Sequence, residues 1–468
     1  MLAARLRCRW RHQRRPARDH TSVSSTLLPV RDRRAIAIAM ATSGPAAPAA
    51  SAAAARVNDD ADGSMATVAL ALAEDVARDT LADAQTDDKG GALRGAALLR
   101  RLRAVYVTSG ACGARIHSQT SAHTLVDRGV EFVLRVLPSL ANKPKGEAAA
   151  AADVKREAGA TATAAAPSPP SNNPFLPYDE RLFVANLSPT HCLLLNKFDV
   201  APLHALVVTR AFEPQTDPLN AADLLATMQV LRAFREGGGG GALAFYNCGE
   251  FSGRSQPHKH VQVVPLPFAL QPASSEGGGG GAAAAAAAPP VAPIDAIVQA
   301  AFEAARERIR NHGGLLPHIF ALEGLPFRAY AAPANFLRND AADPVDAAQQ
   351  AARDAEDLES RIRTMVRRCA ADCSDDDGAA AGSLSYNLLI TERWAVGVPR
   401  SAERDQQEGG GVACNALAFA GTMLCRSDAE LAHVRQRGPM NVLASVGFPW
   451  PQRGDGAETK RGRSSDDE

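Results

Sequence analysis

The residue types best suited to chemistry occur together in the segment Ser255-Gln-Pro-His258-Lys-His260-Val-Gln262. Alternate residues of an extended strand share one face, so His258, His260 and Gln262 are expected to line up on one side of a sheet. A neutral imidazole attacks well near neutral pH because it needs no separate base. A histidine that attacks phosphorus forms a phosphoramidate labile enough to turn over, and the combination of this segment with the turn that precedes it favours such a nucleophile.

A turn rich in glycine and serine precedes the histidine strand. Tyr246-Asn-Cys-Gly249 is followed closely by Phe251-Ser-Gly253. A strand, such a turn and a second strand form a loop whose backbone N–H groups can converge on an anion. Two alternatives stay open for the H-x-H pair: a structural or surface role, and a zinc site. Zinc needs further ligands, and no cysteine or histidine with ligand spacing stands close by.

The composition argues against several classes of protein. The chain has 468 residues with 51 Lys and Arg against 51 Asp and Glu, so neither a basic nucleic-acid wrapper nor an acidic activation domain is expected. No run of about 18 or more apolar residues occurs, which argues against a membrane-spanning protein. The eight cysteines include no C-x-x-C pair and are too dilute for a disulfide scaffold, so a reducing compartment fits best.

The N-terminal segment differs in composition from the rest of the chain. Its first 56 residues hold eleven arginines, whereas Asp19 and Asp32 are their only acidic residues. This composition is typical of an organelle transit peptide, which would direct the protein to a plastid or mitochondrion. The alternative is a start at Met40 and a cytoplasmic protein. In either case we expect residues 1–90 to be a disordered leader.

Segments rich in Ala, Gly and Pro interrupt the predicted elements. Flexible surface loops grow at a cost of only about 0.6 kcal/mol per doubling of their length, so we interpret these segments as loop expansions without chemistry. The charged tail over 451–468 is predicted to be disordered. The expected inserts lie at 145–172, 237–241, 269–293 and 402–411. The Gly/Ala/Pro composition of the insert at 269–293 begins at residue 271.

The remaining sequence predicts an α+β fold built on an antiparallel sheet. Successive strands are joined by short links with one helix between them, which is not the alternation of a doubly wound sheet. A cap at Asp217-Pro218 is predicted to begin a helix that runs to about Glu236. The predicted strands lie at 129–137, 182–185, 191–196, 205–209, 242–246 and 258–265, with a hairpin over 385–391 and 394–398. The predicted helices include one with Leu98, Leu99, Leu102 and Val105 on one face and others at 294–311 and 345–370.

The histidine strand resembles the catalytic strand of the histidine triad superfamily, and in particular its transferase branch, in which glutamine replaces the third histidine. The flanking motifs resemble the eukaryotic ATP adenylyltransferases, also called diadenosine tetraphosphate (Ap4A) phosphorylases. These motifs are Asn173–Tyr178, Leu187–His191, Leu194–Phe198, Phe212–Pro218, Ser385–Trp394, Asn415–Gly421 and Gly438–Leu443.

The resemblance implies a histidine-triad-like antiparallel sheet with packed helices and two histidine-triad-like halves in one chain. The catalytic half would span 91–268 and hold the H-x-H. The C-terminal half would span 294–450, cover the nucleotide site and complete the core.

The resemblance also implies a reaction. His260 would attack the α-phosphorus of Ap4A and release ATP, and phosphate would then attack the adenylyl-histidine and release ADP. The reverse reaction would make Ap4A from ATP and ADP. The alternatives are phosphorolysis of adenylyl sulfate, hydrolysis of dinucleoside polyphosphates, and a catalytically silent nucleotide-binding sensor.

Roles for individual residues follow from the same resemblance. His258 would orient the nucleophile's ring through the backbone, and Gln262 would donate to a non-bridging oxygen of the transferred group. His204, in a Pro-x-His motif, would support the triad. The expected phosphate-side and substrate-side residues are Asn247, Ser255, Gln256, Lys197 and Arg254, of which Gln256 would fix the loop and Arg254 would either contact the polyphosphate or obstruct it.

The expected partners are small nucleotides: diadenosine polyphosphates, ATP, ADP and phosphate. A divalent cation, with Mg²⁺ the expected ion, would accompany the polyphosphate and offset its charge. The sequence predicts no metal site made by the protein alone, no organic cofactor, and no nucleic-acid or membrane partner. We expect a monomer.

Overall fold

The computed structural model describes residues 93–117, 121–137, 173–238, 240–266, 268, 291–313, 317–334, 344–373, 384–406 and 411–451. All of these residues belong to one compact unit. Several predictions lie outside the described residues: the leader over 1–90, the insert at 145–172, residues 271–290 of the next insert, and the tail after Pro451.

The described residues form fourteen strands and seven α-helices. The strands are β1 (Ile116–His117), β2 (Ser121–Asp127), β3 (Val130–Val136), β4 (Phe183–Asn186), β5 (His191–Leu195), β6 (Phe198–Asp199), β7 (Ala205–Thr209), β8 (Ala242–Cys248), β9 (His260–Pro265), β10 (Phe320–Ala321), β11 (Tyr330–Pro333), β12 (Tyr386–Ile390), β13 (Trp394–Pro399) and β14 (Thr422–Cys425). The helices are α1 (Gly95–Ala111), α2 (Ala221–Glu236), α3 (Asp295–His312), α4 (Pro344–Cys373), α5 (Ala416–Phe419), α6 (Asp428–Arg437) and α7 (Pro439–Val446).

One nine-stranded sheet dominates the fold, in the order β10-β11-β13-β12-β8-β9-β7-β5-β4. Each neighbouring pair in it is antiparallel, which confirms the predicted α+β class. The pairing of β8 with β12 joins strands from the first part of the chain to strands from its C-terminal part. Outside this sheet, β3 pairs antiparallel with β2 and parallel with β14, and β1 pairs parallel with β6.

The two faces of the large sheet bury different clusters of apolar side chains. Helices α1, α2 and α4 cover one face, where Val261 and Val263 point into the core. Val264 points to the opposite face, into a cluster shared with β3 and with α3, α5, α6 and α7. Since side chains alternate along a strand, His260 and Gln262 lie on this second face, away from α1, α2 and α4.

The start of α2 differs from the sequence-based expectation. The N-cap is Asn220 and not Asp217: the Asn220 side-chain oxygen accepts from the backbone N–H groups of Ala222 and Asp223. The Asp223 carboxylate accepts in return from the Asn220 backbone N–H at 2.8 Å, which completes a capping box. A second capping sequence three residues on therefore overrides the Asp-Pro signal.

None of the helices in the described part of the chain combines the length and the apolar character needed to cross a membrane.

Candidate active site

The histidine pair lies at the start of β9, between β7 and β8 in the middle of the large sheet. The prediction that the strand begins at His258 is wrong by two residues. His258 instead forms an isolated β-bridge with Pro214, and β9 begins at His260. His258 thus lies just outside the ladder, and its ring packs against Phe175, which also contacts the His260 ring.

The His258 ring is fully buried and is fixed at both nitrogens. Its Nδ1 lies 2.9 Å from the Asn173 side-chain nitrogen, whose amide is oriented by a bond from the Phe175 backbone N–H to the Asn173 oxygen. Its Nε2 lies 2.8 Å from the Thr209 carbonyl oxygen. Because the Asn173 amide can only donate and the carbonyl can only accept, His258 is neutral with its proton on Nε2.

Burial lowers the pKa of His258 below its usual value, and the hydrogen bonds to the backbone only partly offset this. An imidazolium would also place an Nδ1 proton against the Asn173 amide hydrogens. The folded state therefore binds His258's proton less readily than the unfolded chain does. The stability that depends on neutral His258 is complete above the unfolded pKa of about 6.5 and is lost as the pH falls below it.

We expect the free energy of unfolding to fall by up to about 1.4 kcal/mol per pH unit below about pH 6.5 on account of His258. Asn173→Asp places a carboxylate against Nδ1, keeps the acceptor for Phe175 and favours the charged ring. Denaturant unfolding between pH 7.5 and 5 should show a smaller acid loss in this variant than in the wild type. Equal acid slopes in the two proteins would contradict the assignment of a neutral His258.

The His260 ring is oriented by the backbone of its neighbour. Its Nδ1 lies 2.8 Å from the His258 carbonyl oxygen, so this nitrogen must carry the proton and donate. The proton on Nδ1 leaves the lone pair on Nε2, which is the state that a nucleophile requires. His260 is 5% exposed, and its ring centre lies 5.3 Å from that of Phe175.

Gln262 occupies the next position on the same face of β9. Its side-chain oxygen lies 3.1 Å from His204 Nε2, and the Asn196 amide nitrogen lies 3.3 Å from His204 Nδ1. This arrangement fits a neutral His204 that accepts from Asn196 and donates to Gln262. The Gln262 oxygen is therefore engaged by His204, which leaves the NH₂ group of Gln262 as the donor for a ligand.

Asn247 lies on β8, on the face that carries His260 and Gln262. Phe245 pairs directly with Gln262, and Asn247 lies two residues further along β8. Asn247 is buried, and its side-chain oxygen accepts from the Asn387 amide and from the backbone N–H of Ala416, both at 2.9 Å.

Gln215 is a residue that sequence reasoning missed. Its amide, 1% exposed, closes the gap where β8 and β9 separate. The Gln215 oxygen accepts from the His260 backbone N–H at 2.8 Å, and its nitrogen donates to the carbonyls of Asn247 and His260. Gln215 lies in the Phe212–Pro218 motif, and Asn173 begins another of the motifs that carry the resemblance, so motif membership was the available signal for both.

The remaining predicted site residues lie on two loops. Ser255 is exposed, whereas Arg254 and Gln256 are half-buried in the same loop before His258. The loop turns through Gly249 at φ 88° and Gly253 at φ 78°, conformations that favour glycine. A Cβ at Gly249 would lie 2.5 Å from the Ser385 hydroxyl, so the loop packs closely on the C-terminal part of the chain.

Lys197 is exposed between Asn196 and Phe198, with its Nζ 5.8 Å from the Phe198 ring centre. It follows Asn196 directly, and the Asn196 amide contacts His204, the partner of Gln262. Within the ranges that the structure describes, no three His, Cys, Asp or Glu side chains are grouped so that they could hold a metal ion.

Lys259, just before β9, is buried on the side of the sheet that α2 covers, opposite His260. Its Nζ lies 2.8 Å from Asp223 and 3.0 Å from Glu213, and Asp223 also lies 2.9 Å from His191 Nε2. Burial disfavours the ammonium, but the two carboxylates outweigh this effect and raise the pKa of Lys259. This network of Lys259, Asp223, Glu213 and His191 adjoins the histidine pair, because Lys259 lies between His258 and His260 in the chain.

Lys259→Met should lower the free energy of unfolding by about 3 kcal/mol, because it leaves the buried Asp223 carboxylate without its ammonium partner. Denaturant unfolding of the purified variant measures the change. Lys197→Met provides the matched control, since removal of an exposed lysine should cost no more than about 0.5 kcal/mol. A loss for Lys259→Met as small as the control's would show that the network contributes little to stability.

Two protein-family models match this chain. A family model described as the Ap4A phosphorylase N-terminal domain matches residues 89–275, and one described as the ATP adenylyltransferase C-terminal domain matches residues 323–449. The first contains His258, His260 and Gln262, and the second contains Asn387.

Two curated proteins of Saccharomyces cerevisiae are similar to this chain. Diadenosine 5',5'''-P1,P4-tetraphosphate phosphorylase 2 is 39% identical over 105 residues, which span 21% of this chain and 32% of that protein. Protein APA1 is 27% identical over 263 residues, which span 55% of this chain and 68% of that protein. The match to the first therefore spans about a third of its length.

Solved structures of yeast Ap4A phosphorylase Apa2 share the fold. The complex with AMP covers 77% of this chain and 100% of its own, with a TM-score of 0.53 and 21% sequence identity. The complex with Ap4A covers 76% of this chain and 99% of its own, with a TM-score of 0.52 and 21% identity. The two family models together span more than half of the residues, and the chain belongs to the ATP adenylyltransferase (Ap4A phosphorylase) family.

Proposed function

We propose that this chain is a nucleotidyltransferase that phosphorolyses Ap4A to ATP and ADP, and catalyses the reverse, through an adenylyl-histidine at His260. The observation that carries the proposal is the bond from His260 Nδ1–H to the His258 carbonyl at 2.8 Å, which keeps the lone pair on Nε2. Family membership supports the choice of a dinucleoside polyphosphate as substrate.

In the first step, the lone pair of His260 Nε2 attacks the α-phosphorus of Ap4A. A P–N bond forms as the bond from the α-phosphorus to the bridging oxygen breaks, and ATP leaves with that electron pair. In the second step, an oxygen of inorganic phosphate attacks the same phosphorus. The P–N bond breaks, the electron pair returns to Nε2, and ADP leaves.

The chain's other residues stabilise and orient the reacting groups. The Gln262 NH₂ group, held by the bond between His204 and the Gln262 oxygen, donates to a non-bridging oxygen on which negative charge grows. An amide neither supplies nor removes a proton, so Gln262 does not activate water. The adenylyl-histidine is therefore expected to persist until phosphate attacks it. His258 acts through its carbonyl, and its fixed neutral ring keeps that carbonyl in place.

We assign Asn247 to the phosphate side of the site, because it shares the sheet face with His260 and Gln262. Ser255, Gln256 and Arg254 line the loop before His258, and Lys197 is the cation next to Asn196. A divalent ion such as Mg²⁺ enters as part of the substrate, bound to the polyphosphate, and offsets charge on the leaving group.

Product analysis on the full chain tests the proposal. The protein is incubated with Ap4A with and without phosphate, and ATP, ADP and AMP are separated; adenylyl sulfate is supplied in a parallel reaction. Phosphate-dependent formation of equal amounts of ATP and ADP is the expected result. Formation of AMP and ATP without phosphate would indicate a hydrolase. Formation of ADP and sulfate from adenylyl sulfate, with no products from Ap4A, would indicate a phosphorylase of adenylyl sulfate. Binding of Ap4A without any products would indicate a sensor.

A further inference from the structure

Arg400 is a buried cation at the C-terminal edge of the site. It follows β13 directly and is 1% exposed. All acceptors of its described hydrogen bonds are neutral: the backbone carbonyls of Val446, Ser252, Ala402 and Glu403 and the side-chain oxygen of Asn387. The Phe419 ring centre lies 5.0 Å from the guanidinium carbon. A buried charge without an anionic hydrogen-bond partner is costly, and this charge is placed to act on an anion bound in the neighbouring site.

The bond from Arg400 to Asn387 continues toward the site. The Asn387 oxygen is engaged by the Arg400 guanidinium, which fixes the amide's orientation and turns its nitrogen the other way. That nitrogen donates to the side-chain oxygen of Asn247 and to the carbonyl of Ser252, both at 2.9 Å. Every donor in the series thus points from Arg400 toward Asn247, and such chains polarise one another.

The sheet register places this series in one row with the nucleophile. Asn387 lies directly opposite Asn247 on the neighbouring strand, and His260 is reached from Asn247 through the amide of Gln215. The Asn247 oxygen accepts two hydrogen bonds, from Asn387 and from the Ala416 backbone N–H. Its nitrogen is therefore the group that remains to face a ligand at His260.

We propose that Arg400 and Asn387 are positioning residues, which hold the Asn247 amide with its nitrogen toward the phosphoryl group transferred to His260. The inference rests on the proposed function. The buried positive charge of Arg400 strengthens the Asn247 donor through Asn387. The negative charge that develops on the transferred phosphoryl group is then the anion that interacts with this buried cation. The C-terminal part of the chain thereby contributes to catalysis without contact with the substrate.

Asn387→Asp is the sharpest variant. Its carboxylate keeps an acceptor for Arg400 but cannot donate to the Asn247 oxygen, so the Asn247 amide is driven to turn and to present its oxygen to the phosphoryl group. We expect kcat/KM for Ap4A to fall by about 100-fold, the scale of one lost oxyanion donor. The new ion pair with Arg400 opposes the loss of the bonds to Asn247 and Ser252, so we expect the variant to stay folded, which its melting curve checks.

A double-mutant cycle separates this role from a structural one. In the Asn247→Ala background, Asn387→Asp and Arg400→Lys should each change kcat/KM by less than about 3-fold, because both act through Asn247. Arg135→Lys, which alters another buried arginine on β3, is the matched control and should leave the activity of the folded protein unchanged. Losses that persist undiminished in the Asn247→Ala background would overturn the proposal.

The same cycle is measured by equilibrium binding of AMP, whose phosphate probes the site without turnover. If the wild type makes no ATP and ADP, the proposed function fails, and the positioning role is then decided by binding alone. Coupling between Asn387 and Asn247 in the AMP affinity would support that role in a protein that only binds nucleotides. Additive effects on both readouts would exclude it.

Discussion

Replacement of His260 by alanine is expected to lower the phosphate-dependent release of ATP and ADP from Ap4A by at least about 10⁴-fold. The variant lacks the atom that forms the P–N bond in the proposed first step. His260 is 5% exposed and lies on a sheet face next to Phe175, so truncation leaves a small cavity while the strand pairing of β9 persists. The measurement is single-turnover product release under excess enzyme.

Covalent trapping makes the same prediction independent of turnover. Wild-type protein incubated with Ap4A in the absence of phosphate should release ATP and gain the mass of one adenylyl group, whereas His260→Ala should gain none. His318→Ala, which removes an exposed histidine outside the site, is the matched control and should retain both properties. A His260→Ala protein that keeps its rate within about 10-fold, or that is still adenylylated, would assign the nucleophile to another residue.

The local parts of the fold were predictable because they rest on short-range patterns. Period-2 and period-3.6 hydrophobic patterns place most strands and helices within a few residues of their observed bounds. The bounds failed where two local signals competed. The start of α2 moved to Asn220 because a complete capping box outweighs a lone Asp-Pro. The strand β9 lost His258 because the chain over 257–259 bonds to the backbone of the segment over 213–215 instead.

The outer part of the site was not predictable in the same way, because tertiary pairing assembles it. Asn387 and Asn247 are 140 residues apart in sequence and become neighbours only when β8 pairs with β12. Nothing in the sequence around Arg400 distinguishes it from a surface arginine. The burial of Lys259 was not predictable either, because its partner Asp223 lies on a helix whose packing the local pattern could not give.

Gln262→Glu should lower kcat/KM by about 10²- to 10³-fold, although the two side chains have nearly the same shape. One carboxylate oxygen would keep the bond from His204 Nε2, and the other would replace the NH₂ group beside the transferred phosphoryl group. A donor becomes an acceptor with negative charge, so the interaction changes from stabilising to repulsive as charge develops on phosphorus.

The pH dependence of this variant distinguishes a catalytic role of Gln262 from a packing role. Protonation of the introduced carboxylate would restore a donor, so the rate of the variant relative to wild type should rise as the pH falls toward the carboxyl pKa. Gln349→Glu, the same substitution at an exposed position on α4, should show neither the loss nor the relative rise. A variant whose loss of kcat/KM stays constant with pH would mean that Gln262 shapes the pocket and makes no hydrogen bond to the transferred group. The preference of the adenylyl-histidine for phosphate over water would then require another explanation.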